Sequence, residues 1–181
     1  MGSLTAAEVS GRRLQQLLDA VVAVSADLAL SDVLAHLVRA ACEVVGARYG
    51  ALGVIGPDGR HLKEFVTYGL TPQERAAIGP LPTGHGILGL LITDPRPLRL
   101  ADIRDHPSST GLPANHPPIH TFVGAPIRVR EAVFGNLYLA GKQGGDLFTR
   151  EDEAVLVALA AAAGVAIDNA RLYEQSLQDT A

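Results

Sequence analysis

Two periodicities divide the chain. Apolar residues fall every three to four positions at Leu14, Leu17, Leu18, Val21, Val22 and Leu28, which predicts a helix over residues 8–29. The same spacing returns at Val33, Leu34, Leu37, Val38, Ala41, Val44 and Val45, with Ser31 as the expected N-cap and Gly46 as the expected stop. From Tyr49 the pattern becomes strand-like. Strands are predicted from Tyr49 to Ile55 and from Leu62 to Tyr68, joined by a turn at Gly56-Pro57-Asp58-Gly59. Thr71-Pro72 is a cap followed by proline at the first helical position and opens a short helix. A second short helix is expected from about Thr83 to Thr93, ended by Pro95 and Pro97, with a short strand from Leu98 to Leu100.

Residues 101–119 read as a long irregular loop punctuated by Pro107, Pro113, Pro117 and Pro118, a length usual for functional loops. Strands from Thr121 to Val129 and Ala132 to Ala140 follow, around a tight Arg130-Glu131 turn. After a glycine-rich turn from Lys142 to Asp146, Thr149 and Asp152 stand at capping-box spacing and open an alanine-rich helix reaching about Gln178. This order predicts an α+β fold: a central antiparallel sheet with long N- and C-terminal helices packed on one face. The terminal helices are placed to pair into a bundle.

At 181 residues and 48% hydrophobic, the chain has the length of one domain and can bury a real core. A net charge of −4 argues against a phosphate-backbone binder, and four Tyr, four Phe and no Trp argue against a stacking platform, so no nucleic-acid partner is expected. The single Cys42 excludes an internal disulfide and any cysteine-rich metal site, and fits a reducing compartment. Residues 1–13 carry no apolar signal-peptide core, and the long C-terminal apolar run is broken by Asp168 and Asn169. A cytoplasmic protein without membrane insertion is the expectation.

Several residues bear on chemistry. His106, His116 and His120 lie in or just after one loop with Asp102 and Asp105, donor types that suit zinc, though exposed loop histidines are the simpler reading. His116 precedes Pro117-Pro118, which holds its backbone extended. The residues leave two readings open for it, a surface histidine or an axial haem ligand. Tyr138 lies in the strand segment Phe134-Gly135-Asn136-Leu137-Tyr138 and, by alternation, shares a face with Phe134 and Asn136. It is either a core tyrosine with its hydroxyl at an edge or a hydroxyl aimed into a pocket. Gly84-His85-Gly86 at a helix start could meet an anion, or serve the turn alone. Cys42 reads as inert core. Glu151, Asp152 and Glu153 complement a helix dipole.

The element order, the segment from Gly124 to Tyr138 (GAPIRVREAVFGNLY), the stretch from Phe148 to Glu153 (FTREDE) and the closing Asn169 to Tyr173 (NARLY) resemble a GAF domain. The resemblance covers about residues 15–176, which leaves 1–14 as an N-terminal extension and 177–181 as a tail. A narrower likeness rests on Leu81 to Gly89, Pro97 to Leu100, His106-Pro107 and Asn115-His116-Pro117-Pro118. These resemble the first GAF domain of the DevS/DosT-type sensor histidine kinases. That likeness implies haem b, with His116 as proximal iron ligand and Tyr138 as the distal tyrosine. Two positions depart from that family's pattern: its doubled histidine is Asn115-His116 here, and its Ser-Phe is Thr121-Phe122.

The resemblance therefore implies a sensory domain for O₂, CO, NO or redox state. It relays through its terminal helices to a histidine kinase core elsewhere in the same full-length protein, works as a homodimer through those helices, and performs no catalysis. The alternatives are a GAF domain for another small molecule, such as a cyclic nucleotide, or a ligand-free dimerisation and relay module. For the nucleotide, Lys142, Phe148, Asp152 and Glu153 match a nucleotide-type pattern, but Gly141 stands where Asn belongs. Covalent bilin attachment and methionine-sulfoxide reduction both need cysteines that this chain lacks.

Overall fold

The computed structural model describes residues 30–56, 59, 62–78, 89–91, 94–107, 109 and 117–180. The helix expected over residues 8–29 lies outside them, as does most of the one expected from Thr83, of which residues 89–91 are helical. In chain order the elements are α1 (Leu30–Val45), β1 (Ala47–Ile55), β2 (Leu62–Tyr68), α2 (Pro72–Ile78), β3 (Leu98–Leu100), a 3₁₀ turn (Ile103–Asp105), β4 (Phe122–Val129), β5 (Ala132–Lys142) and α3 (Arg150–Asp179). The five strands form one sheet in the order β2-β1-β5-β4-β3, and every neighbouring pair is antiparallel.

Local signals place most boundaries. Gly46 ends α1 with φ +78°, and its N–H donates to the Cys42 carbonyl at 2.9 Å. Ser31 lies inside α1 rather than capping it, because Leu30 is already helical. Thr71 and Glu74 cap α2 reciprocally: each backbone N–H donates to the other's side-chain oxygen, at 3.1 and 3.0 Å. Thr149 and Asp152 do the same for α3, at 2.8 and 3.1 Å.

The main core lies between the sheet and the two long helices. α1 contributes Val33, Leu34, Leu37, Val38, Ala41, Cys42 and Val45. Val44, counted in the helical stripe, is instead 44% exposed, since it sits one residue outside the buried arc. α3 contributes Leu156, Leu159, Ala160, Ala163, Gly164 and Ile167. The approach is close at Gly164, where a Cβ would stand 2.9 Å from the Arg128 carbonyl oxygen. By length and composition α3 could cross a membrane, contrary to the expectation that no segment reaches that span. Its alanines keep it apolar while letting it lie tight against β4. Beyond Ile167 no residue of α3 is buried, so its last three turns run past the core.

Candidate functional site

The sheet face opposite the helices carries a second apolar cluster. Leu91, Ile103, Ile119, Phe122 and Ala140 are buried in it, and Tyr49, Leu98, Leu100 and Tyr138 pack half-buried against them. Tyr138 stands opposite Ala51 on β1 and Gly124 on β4. Its ring stacks on Phe122 with centroids 5.8 Å apart and planes 25° apart. Burial raises the phenol well above its ordinary ionisation range, so the hydroxyl stays protonated and is available as a donor. A cavity of about 50 Å³ opens beside it, lined by Tyr49, Ala51, Thr67, Ile119, Tyr138 and Ala140 among the described residues.

Tyr138 does not share a face with Phe134. Ile127 pairs with Gly135 and Arg128 pairs with Val133, which leaves Phe134 as an extra residue in β5. This bulge inverts the alternation, so Phe134 packs into the helix-side core while Tyr138 packs into the opposite cluster. Asn136 is 4% exposed and pairs with Gly53; a Cβ on Gly53 would lie 3.3 Å from its Oδ1. His116 and the Gly84-His85-Gly86 segment lie outside the described residues. Ile119, three residues after His116, is buried in the second cluster, so the segment leaving His116 enters this face.

Of the loop's candidate metal ligands, Asp102, Asp105, His106 and His120 are described and His116 is not. Among the described residues no three His, Cys, Asp or Glu side chains gather to hold a metal. Asp102 is engaged otherwise: its Oδ2 accepts from Arg104 Nη2 at 2.6 Å, and its Oδ1 accepts from the Arg104 backbone N–H at 3.0 Å. Those hydrogen bonds from Arg104 hold its carboxyl well below the usual range, with a smaller contribution from His120, whose Nδ1 is 3.6 Å away. Asp102 is thus the cap of the 3₁₀ turn.

The nucleotide-type residues form a joint. Lys142 Nζ donates to the Val45 carbonyl at 2.6 Å and to Asp152 Oδ2 at 2.9 Å, and lies 5.9 Å from the Phe148 ring centroid. Arg99 donates to the Phe148 carbonyl at 3.2 Å and approaches Glu153 at 3.8 Å. One ammonium therefore ties the ends of α1, β5 and α3 together, and the motif serves packing here.

Toward a haem, the described part of this face offers an apolar surface and the Tyr138 hydroxyl, while the iron donor expected from the sequence, His116, lies outside the described residues. Among the described residues the cavity beside Tyr138 holds about 50 Å³, room for water-sized groups, whereas pockets for drug-sized ligands run to roughly 300–1,000 Å³.

A five-stranded antiparallel sheet with long helices on one face and an apolar, tyrosine-bearing cluster on the other defines an α+β module. The family model for the GAF domain matches residues 27–168, and the chain belongs to that family. Solved structures agree on the fold. The GAF domain of a phosphoenolpyruvate-protein phosphotransferase from Coxiella burnetii is 24% identical, over 90% of this chain and 96% of that one, with a TM-score of 0.74. The free methionine-R-sulfoxide reductase of Neisseria meningitidis is 18% identical over 96% of both chains, with a TM-score of 0.69. The GAF domain of a protein described as a sensor histidine kinase from Pseudomonas syringae pv. tomato is 18% identical over 97% and 99%, with a TM-score of 0.62.

Proposed function

We propose that this GAF domain is a sensory module that takes its ligand on the Tyr138 face and relays occupancy through α3. The observation that carries this reading is the position of Tyr138. Its ring packs into a largely apolar cluster on the sheet face away from the helices, beside a small cavity, and on the central strand whose other face the helices cover.

The specific ligand we propose is haem b, on the strength of the His116-Pro117-Pro118 and Tyr138 likeness described above. When bound, its iron would supply the site for O₂, CO or NO, or for a change of redox state. His116 would hold the iron and Tyr138 would offer its hydroxyl as a hydrogen-bond donor to what the iron binds. Ile119, Phe122 and Leu100 would exclude water from between them. No catalytic role is assigned to the chain. Cys42 is buried under the sheet, and burial followed by the charge of Glu43 pushes its thiol up to about 12, which disfavours thiolate chemistry. The likeness to a kinase GAF domain supports a histidine kinase core in the full-length, cytoplasmic protein. The exposed Val157, Val165, Leu172, Tyr173 and Leu177 of α3 support a homodimer through the terminal helices.

The test is an absorption spectrum after reconstitution with hemin, beside His116→Ala. A strong Soret band in the wild type that is lost or shifted in the variant is the expected result. No specific band in either protein overturns the haem reading and turns the search to other ligands of the same face.

A further inference from the structure

Arg171 touches both irregular points of the sheet. The β1–β2 register shifts between Val54 and Ile55, and the β4–β5 register shifts at Phe134. Arg171 Nη2 donates to the Ile55 carbonyl at 3.2 Å, and its guanidinium carbon lies 4.2 Å from the Phe134 ring centroid. The Arg171 side chain therefore spans from α3 to the bulge on β5 and to the end of β1, where Ile55 follows the point at which β2 carries the extra residue Lys63. It does so four residues past Ile167, the last buried residue of α3. The other described link from this stretch to the sheet is Lys63–Glu174 at 3.6 Å, with side chains 49% and 59% exposed, a pair of small weight.

Phe134 and Tyr138 are four residues apart on β5, about 13 Å at the rise of an extended strand. Their side chains leave opposite faces. The Phe134 ring thus lies between the Tyr138 part of β5 and Arg171 of α3.

We propose that Arg171 is the positioning residue that couples the ligand-facing strand β5 to the outgoing half of α3. It acts as a clamp: the planar cation lies on the Phe134 ring and satisfies the Ile55 carbonyl, and neither contact survives if the bulge and the helix move apart. A lysine cannot replace it, because a point-charge ammonium lacks the flat face and fork that meet both partners at once. This coupling does not depend on which ligand occupies the Tyr138 face.

The test is amide hydrogen exchange on the whole chain for wild type, Arg171→Gln, Phe134→Leu and the double variant. Arg171→Gln is expected to speed exchange roughly five- to tenfold in two places, residues 168–179 of α3 and residues 133–138 of β5. Residues 156–167 are expected to be unchanged. The effects of the two changes on exchange in residues 168–179 should be clearly less than additive in the double variant, since both remove the Arg171–Phe134 contact. Faster exchange in α3 with β5 unchanged would reduce Arg171 to a helix anchor and overturn the coupling. So would a rise spread over residues 156–167, or additive effects in the double variant. Arg171→Lys should exchange like Arg171→Gln; wild-type behaviour there would overturn the clamp geometry.

Discussion

Phe134 and Tyr138 sit four residues apart on one strand and face opposite sides of the sheet. Regular alternation would put them on the same side. The single extra residue at Phe134 separates them, giving the helix-side core an aromatic ring and the opposite face its phenol.

The Tyr138 phenol should ionise late. Spectrophotometric titration at high pH is expected to show a tyrosine ionising above the ordinary range, and Tyr138→Phe should remove that step. The sign follows from the raised folded-state value. The stabilisation is fully present below about pH 10, the free tyrosine value, and is lost as pH rises beyond it. Tyr138→Phe keeps the ring on Phe122 and should therefore flatten the alkaline decline in stability while barely changing the neutral value.

Lys142→Met and Asp152→Ala should each cost about 2–4 kcal/mol in urea denaturation, because each leaves the other charge poorly solvated in a joint whose side chains are only 18% and 14% exposed. Asp152→Ala also removes the carboxylate half of the α3 capping box, the bond from the Thr149 N–H, so it should be the more damaging. Added cyclic nucleotide is expected to leave the melting temperature of the wild type unchanged; a rise would restore the nucleotide reading.

Gly135→Ala should be among the most destabilising single changes, about 3 kcal/mol or more by equilibrium unfolding, since a Cβ there would stand 1.8 Å from the Gly53 carbonyl oxygen. Neither backbone can yield without parting β1 from β5. Ala132→Gly, at the exposed end of the same strand, is the control and should have little effect.

Asp102 contributes on the acid side. Its folded-state carboxyl is held low by Arg104, so the contribution is present above about pH 4 and is lost as pH falls further. Asp102→Asn should make the decline of the denaturation midpoint between pH 5 and pH 2 shallower than in the wild type.

Cys42 should resist alkylation in the folded protein. Iodoacetamide at pH 8 is expected to label it slowly, and rapidly once urea unfolds the chain, because its thiol is buried and pushed up to about 12. Equal rates in both states would contradict its place in the core.

Much of this domain was legible in the residues. β2, β3 and α2 begin where the turn chemistry puts them, because glycine and proline act locally and Thr71 and Thr149 cap through bonds spanning three residues. The strands β1 and β5 each run two residues further than their alternation suggested, Ala47 before Tyr49 and Lys142 after Ala140, since pairing between Ala47 and Lys142 extends both. The site was legible only in part. Tyr138 could be picked out and its half-buried setting was one of the two readings. Its facing relative to Phe134 could not be read, because one unpaired residue reverses alternation and no local signal marks it. The loop acids and histidines looked like a donor set in sequence, yet Asp102 is taken by Arg104 two residues away.

Within the described residues the sequence by itself determined most elements, their order and the class of fold, because hydrophobic periodicity and capping act over a few residues and need no partner from elsewhere. Tertiary structure alone decided that Lys142 bridges three elements, that Arg171 reaches the Phe134 bulge and the end of β1, and that a cavity of about 50 Å³ lies beside Tyr138. Those are relationships between residues up to 116 positions apart, and strand register and helix packing, which bring such residues together, are set by the whole core at once.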